Sequence, residues 1–295
     1  MMRLQRTIKK EATFHGIGLH TGKFATVRLK PASRDTGIVF YRSDKGTLIR
    51  ANTASVIDTS FATTIGYDGA KVKTVEHLLA AATGLGIDNL LIEVDGPEIP
   101  ILDGSSTELA ALILDAGIAK QGKRASYIKI ARPIIYEDSH ARIMALPFDG
   151  TRISYSINFN HHIVGHQELT LDITEESFVK EIAPARTFGF LRDVEAMRAN
   201  GLAKGGSLEN AVVVGDEGIL NSSGLRFRDE FVRHKILDTI GDISLIGFPI
   251  QGHLLLEKAG HTANLRFLKK LLASTDCFHF ISEVDHVSQQ VLNYG

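Results

Sequence analysis

Val72-Lys-Thr-Val-Glu76-His77-Leu-Leu-Ala-Ala-Ala-Thr-Gly84 reads as one helix over 72–83, because Leu and Ala dominate it and a glycine closes it. A second segment, His234-Lys235-Ile-Leu-Asp238-Thr-Ile-Gly241-Asp242, lies inside a helix expected over 229–245. The two align. Gly84 follows His77 by seven positions, and Gly241 follows His234 by seven. After each helix comes a short apolar run, Asn89-Leu-Leu-Ile-Glu-Val-Asp95 or His253-Leu-Leu-Leu-Glu257, bounded as a buried strand would be. A glycine turn follows, at Gly104 or Gly260, and then another helix, over 109–116 or 262–273. This order predicts a tandem duplication of an α+β unit, too long for a solenoid repeat. The competing reading is coincidence, since α+β halves share element order fairly often.

Working outward, residues 1–60 read mostly as strands. Ala12 to Gly22 holds three glycines suited to a tight turn, followed by the β-rich runs 24–30 and 37–41. Ser105 with Glu108 three residues on is a capping-box signature for the helix that ends at Gly117. The polar stretch Gln121-Gly-Lys-Arg-Ala-Ser126 is the expected boundary between units 1–124 and 125–295. Residues 188–218, glycine-rich around 201–206, read as an insertion that lines or covers a site.

Composition narrows the class. The 295 residues carry 33 basic and 34 acidic side chains, so neither nucleic acid nor a membrane surface is indicated as the main partner. A lone cysteine, Cys277, excludes an intramolecular disulfide and a cysteine-rich metal site. The charged N-terminus leads into no apolar core and no apolar run nears the roughly 20 residues of a spanning helix. A cytoplasmic protein without a transmembrane anchor is expected.

His234 and Asp238 stand one helical turn apart and share a face. Equivalent positions in two copies packed about a pseudo-twofold axis would bring His77 to them. Two imidazoles and a carboxylate with an open fourth position form the ligand set of a catalytic zinc site. Glu76 would then stand beside the metal without binding it, where a general base belongs. His261, at a helix start in Lys258-Ala-Gly-His261-Thr-Ala-Asn264, is a candidate general acid. Asp242, on the His234/Asp238 ridge, could fix its tautomer and favour its protonated form. Lys235 could meet a phosphate or sugar oxygen. Each has a plainer alternative: a surface His/Asp helix pair, a turn histidine, a solvated carboxylate or lysine. Leu191, Val194, Met197 and Leu202 form an apolar stripe on a short helix of the insertion. The stripe either receives an apolar substrate or simply packs its helix down.

Six motifs in order complete the reading: His15-Gly-Ile-Gly-Leu-His-Thr-Gly22, Thr74-Val-Glu-His-Leu-Leu-Ala-Ala81, Ile101-Leu-Asp-Gly-Ser-Ser106, Ala185-Arg-Thr-Phe-Gly-Phe190, Arg233-His-Lys-Ile-Leu-Asp238 and Ala259-Gly-His-Thr-Ala-Asn264. Together they resemble the UDP-3-O-acyl-N-acetylglucosamine deacetylases, zinc amidases of lipid A synthesis, over nearly the whole chain. The resemblance implies two β-α-α-β units packed through their helices, a two-layer sandwich in each, and each with a small insertion. It implies one Zn²⁺ on His77, His234 and Asp238, with Glu76 as base and His261 as acid. It implies that Thr187 holds the substrate oxyanion, that Phe188, Lys235 and Asp242 belong to the site, and that Phe159 lies near the nucleotide-binding surface. An acylated UDP-N-acetylglucosamine is the implied substrate. A monomer in transient contact with a membrane surface is expected, with no second enzyme fused after it. Some family members carry a cysteine near the zinc where this chain reads Phe61-Ala-Thr-Thr64, and no catalytic role is expected to depend on it. Two alternatives stand beside this reading: an amidase acting on a different acyl-sugar, and a silent UDP-lipid binding protein.

Overall fold

Alternating burial along the strands decides how the sheets face. In the computed structural model, which describes residues 3–283, the chain is a mixed α+β protein with sheets backed by helices. Up to residue 124 it forms β1 (Leu4–Ile8), β2 (Ala12–Ile17), β3 (Phe24–Pro31), β4 (Ile38–Arg42), β5 (Thr47–Arg50), β6 (Val56–Asp58), β7 (Thr64–Tyr67), β8 (Ala70–Val72), α1 (Glu76–Gly84), β9 (Leu90–Val94), α2 (Thr107–Asp115) and β10 (Ile118–Arg124). A five-stranded sheet runs β2-β3-β9-β4-β5, a three-stranded one β6-β7-β8, and β1 pairs with β10. Val27, Leu29, Phe40, Ile49, Leu90, Ile92 and Val94 are buried from that main sheet, and α1 is buried almost throughout.

The remainder forms β11 (Tyr127–Ile130), β12 (Ile134–Glu137), β13 (Arg142–Leu146), β14 (Thr151–Asn158), β15 (His166–Asp172), α3 (Glu175–Ser177) running into a π-turn, β16 (Phe188–Phe190), α4 (Leu191–Ala199), β17 (Val212–Val214), α5 (Glu230–Ile243), β18 (Ile250–Glu257), α6 (His261–Ala273) and β19 (Phe278–Ile281). Seven of these strands share one sheet, with β18 between β13 and β14, and β16 pairs with β17 in the insertion. Among the described residues, every named strand pairing joins partners on the same side of residue 125. The two sides meet chiefly through α1 and α5. Gly241 permits that contact, because a β-carbon there would collide with the Glu76 carbonyl oxygen.

Several local expectations shift. The helix expected from 72 begins at Glu76: Val72 ends β8, and Thr74 turns the chain in a left-handed conformation, φ 58°. Gly84 is the last helical residue, and the left-handed residue that stops the chain is Gly86, φ 66°. The capping box does not form. Ser105 Oγ instead accepts from Thr107 N and donates to Asp103, while Ser106 Oγ donates to the His77 carbonyl at 2.9 Å. The polar stretch 121–126 is no loop. Residues 121–124 end β10, and only Ala125 and Ser126 lie between it and β11. Polarity there reflects side-chain bonds, such as Gln121 to Asn89 and to the Ala32 carbonyl, rather than chain freedom. Residues 284–295 of the expected second unit lie outside the described residues.

Candidate metal centre and its cavity

The N-terminal turn of α1 carries Glu76 and His77, and the middle of α5 carries His234 and Asp238; the helix contact brings them together. The ligand atoms of His77, His234 and Asp238 lie within 4.8 Å of one another, all three residues buried. His234 Nε2 stands 3.3 Å and His77 Nε2 3.8 Å from Asp238 Oδ1. Proton placement follows from the surroundings. His234 Nδ1 lies 3.1 Å from the Ala185 carbonyl, which can only accept, so Nδ1 is the donor there and Nε2 is the ring nitrogen turned to the triangle. Burial and the neighbouring His234 push His77 down to about 3, so it is neutral with a free lone pair. Burial acts to raise the Asp238 carboxyl, but His234 and Lys235 overcome it and hold it well below the usual range. Two imidazoles and a carboxylate, buried and converging, are a donor set that suits a divalent cation.

Both flanking groups are shifted toward their protonated forms. Burial pushes the Glu76 carboxyl up to about 8, with Asp242 and Asp238 adding to the rise and His261 opposing it. A cation in the triangle would draw it back down. Burial acts to lower His261, but Asp242 outweighs it through charge and a 2.8 Å bond to Nδ1, raising His261 to about 9. The Asp242 carboxylate is fully committed: Oδ2 also accepts from Asn264 at 2.8 Å and Oδ1 from the Thr63 hydroxyl at 2.6 Å. Lys235 Nζ donates to Asp238 Oδ2 at 2.6 Å, so in this structure it engages the candidate ligand and leaves Oδ1 toward the imidazoles.

A cavity of about 290 Å³ opens on this group, lined by Glu76, His77, His234, Lys235, Asp238 and His261 together with Thr187, Phe188 and Phe159. Asp242 stands behind it, in contact with His261. Phe188 is stacked edge-on against Phe159 and Phe231, with centroids 5.8 and 4.9 Å apart. A second cavity, of about 300 Å³, shares Leu19, Thr187, Phe188 and Met197 with the first and is otherwise walled mainly by apolar side chains, including Leu191 and Val194. Leu202, the fourth member of the expected stripe, is partly buried outside those walls.

Three residues have no role in the sequence reading. Thr63 donates its backbone N–H to Glu76 Oε2 at 3.0 Å and its hydroxyl to Asp242, so one residue holds both carboxylates. Arg186 and Glu230 form a buried pair, Nε to Oε1 2.8 Å, beside Ala185 and Thr187. The adjacency of Arg186 to Thr187 is the only signal for the buried pair; for Thr63 it is the likeness that sets the stretch 61–64 near the zinc, where no role is expected of it.

A buried His₂-carboxylate group that could hold a metal, with a carboxylate and an imidazole beside it in one cavity, fits the class of metal-dependent hydrolases. Comparison with known proteins narrows this. Residues 5–273 match the family described as LpxC, UDP-3-O-acyl N-acetylglycosamine deacetylase. The chain is 53% identical over 282 residues to the UDP-3-O-acyl-N-acetylglucosamine deacetylase of Thermodesulfovibrio yellowstonii, covering 96% of each. It is 47% identical to that of Syntrophotalea carbinolica, covering 99% of this chain and 95% of the relative. With that of Nitratidesulfovibrio vulgaris it shares 51% over 90% of this chain and 87% of the relative. The chain belongs to the UDP-3-O-acyl-N-acetylglycosamine deacetylase family.

Proposed function

We propose that the protein hydrolyses the N-acetyl amide of UDP-3-O-acyl-N-acetylglucosamine, as a step of lipid A synthesis, with one Zn²⁺ held by His77, His234 and Asp238. The observation that carries this reading is the buried donor triangle with a carboxylate, Glu76, and an imidazole, His261, on the wall of the same cavity. Bound zinc would supply Lewis acidity toward the amide carbonyl and acidify a water. Glu76 takes the proton from the attacking water. Its position, fixed by Thr63 N–H, aims the carboxylate beside the triangle rather than into it. Thr187, on the cavity wall, donates its hydroxyl to the oxyanion. His261, with Nδ1–H on Asp242, delivers the proton from Nε2 to the leaving amine. Lys235 keeps Asp238 ionised and can turn to a sugar or phosphate oxygen, while Phe188 and Phe159 face the sugar nucleotide. The apolar cavity at Leu191 and Val194 receives the 3-O-acyl chain.

The same proposal extends to the architecture. The α1-β9-α2 and α5-β18-α6 successions are equivalent parts of two β-α-α-β units, 1–124 and 125–295, with insertions at β6–β8 and β16–β17. The protein works as a cytoplasmic monomer that meets the membrane surface transiently. Among the described residues, no helix is long and apolar enough to cross a membrane. Acetate release from the acylated UDP-sugar, with and without a chelator, tests the reading. Chelator-sensitive release restored by Zn²⁺ is expected, and release that persists in metal-free protein would overturn it.

A further inference from the structure

We propose that Glu98 is a positioning residue. It ties the start of α1, which brings in Glu76 and His77, to the turn 18–22, which brings His20 into the wall of the same cavity. This rests on the metal-centre reading above but concerns a residue outside it.

Glu98 has no exposed surface and lies past β9, away from the donor triangle in sequence. Its carboxylate receives three hydrogen bonds from two separate segments. Oε1 accepts from His20 N–H at 2.9 Å and from the Thr74 hydroxyl at 2.8 Å; Oε2 accepts from Thr21 N–H at 2.7 Å. A buried carboxylate is tolerated only when its oxygens are satisfied in this way. Gly18 completes the fit, since a β-carbon there would collide with the Glu98 carboxylate.

What the carboxylate holds is unusual at both ends. Thr74 is left-handed, φ 58°, a conformation that a β-branched residue rarely adopts. It stands two residues before Glu76, and the chain must reverse there to leave β8 and enter α1. The backbone is pinned on either side of it: Lys73 N donates to Pro97 O at 2.9 Å and Lys73 O accepts from Ile99 N at 3.0 Å, and Val75 N donates to Thr63 O at 3.3 Å. The Glu98–Thr74 bond adds the side-chain constraint that keeps Thr74 in this conformation. At the other end, His20 is 2% exposed and lines the cavity with Glu76, His77 and His261, both its ring nitrogens buried without a protein partner. Loss of the carboxylate would therefore release two walls of one cavity together.

Glu98→Gln preserves shape but turns one acceptor into an amide donor facing an N–H or O–H. In the full chain it should weaken Zn²⁺ binding, read by competition with a chromophoric chelator, by about tenfold, the low end of what loss of a direct hydrogen bond to a ligand costs, because Glu98 acts through the backbone that carries His77. Hydrogen exchange should quicken at 18–22 and 74–79 while 107–115 keeps its protection. Glycine adopts positive φ without penalty. In a Thr74→Gly background, Glu98→Gln should therefore cost much less zinc affinity. Unchanged zinc affinity and exchange in Glu98→Gln would overturn the proposal. So would exchange quickened uniformly along the chain, or an undiminished loss of zinc affinity in the Thr74→Gly background. Should the unaltered protein bind no zinc, the metal reading fails by itself, and the exchange pattern alone decides the role of Glu98.

Discussion

His261 and Asp242 are one unit: the 2.8 Å bond sets the Asp242 carboxylate against the imidazole, favours its protonated form and raises it to about 9. An acid must be protonated to act, so the rate should fall as pH rises through that value. Asp242→Asn removes the charge that favours imidazolium, which moves the basic limb to lower pH by roughly 1–3 units. A pH profile of kcat/KM with an unmoved limb would show that Asp242 does not set it. Glu76 works in the opposite sense, active when deprotonated, so it governs the acidic limb. Glu76→Gln should retain zinc and lose roughly 10²–10⁴ in kcat, the usual worth of a general base. His77→Ala should lose metal and rate together. Metal analysis of the purified variants separates the two, and a zinc-free Glu76→Gln would count against its assignment as a base.

At the scale of elements, the α1–α5 contact is where fold and site coincide. Gly241 sits against the Glu76 backbone with no room for a methyl group. Gly241→Ala should cost about 1–3 kcal/mol of stability, as overpacking does, and should depress kcat because the carbonyl that must give way belongs to the base itself. Urea denaturation and turnover measured on the same sample check both halves; loss of stability with full kcat would mean the helices yield without moving Glu76. On α4, Leu191 and Val194 wall an apolar cavity of about 300 Å³. Each buried methylene contributes about 0.8 kcal/mol, so a ten-carbon chain can supply several kcal/mol of binding. Val194→Asp should therefore weaken a long-chain substrate far more than one lacking the acyl group. Equal losses on both, with circular dichroism unchanged, would assign the stripe to packing alone.

For the molecule as a whole, the candidate ligands come from both sides of residue 125, so a bound cation would cross-link α1 to α5. A ligand that binds only the native state stabilises it by about 2.7 kcal/mol when free at 100 times its Kd. Calorimetry with Zn²⁺ buffered at that level should show a transition several degrees above that of the chelator-treated protein. Identical midpoints would mean that zinc binds too weakly, or elsewhere, to join the two helices.

Local chemistry was legible in the chain because it repeats at short range. The four-residue step from His234 to Asp238, the Leu/Ala run after His77 and the apolar runs of β9 and β18 each announce one element. The ordered motifs then narrowed the chemistry, family likeness supplying what periodicity could not. Element boundaries differ from expectation where a polar side chain is committed at a distance: Thr74 to Glu98 and Ser106 to the His77 carbonyl at two helix starts, Gln121 to Asn89 at the end of a strand. Protonation was equally closed to sequence, because a carboxyl near 8 and an imidazole near 9 arise from burial and from charges on other elements. Thr63 shows the limit: it touches Glu76 and Asp242, residues on two different helices, and only their packing places both within reach of one side chain and its amide.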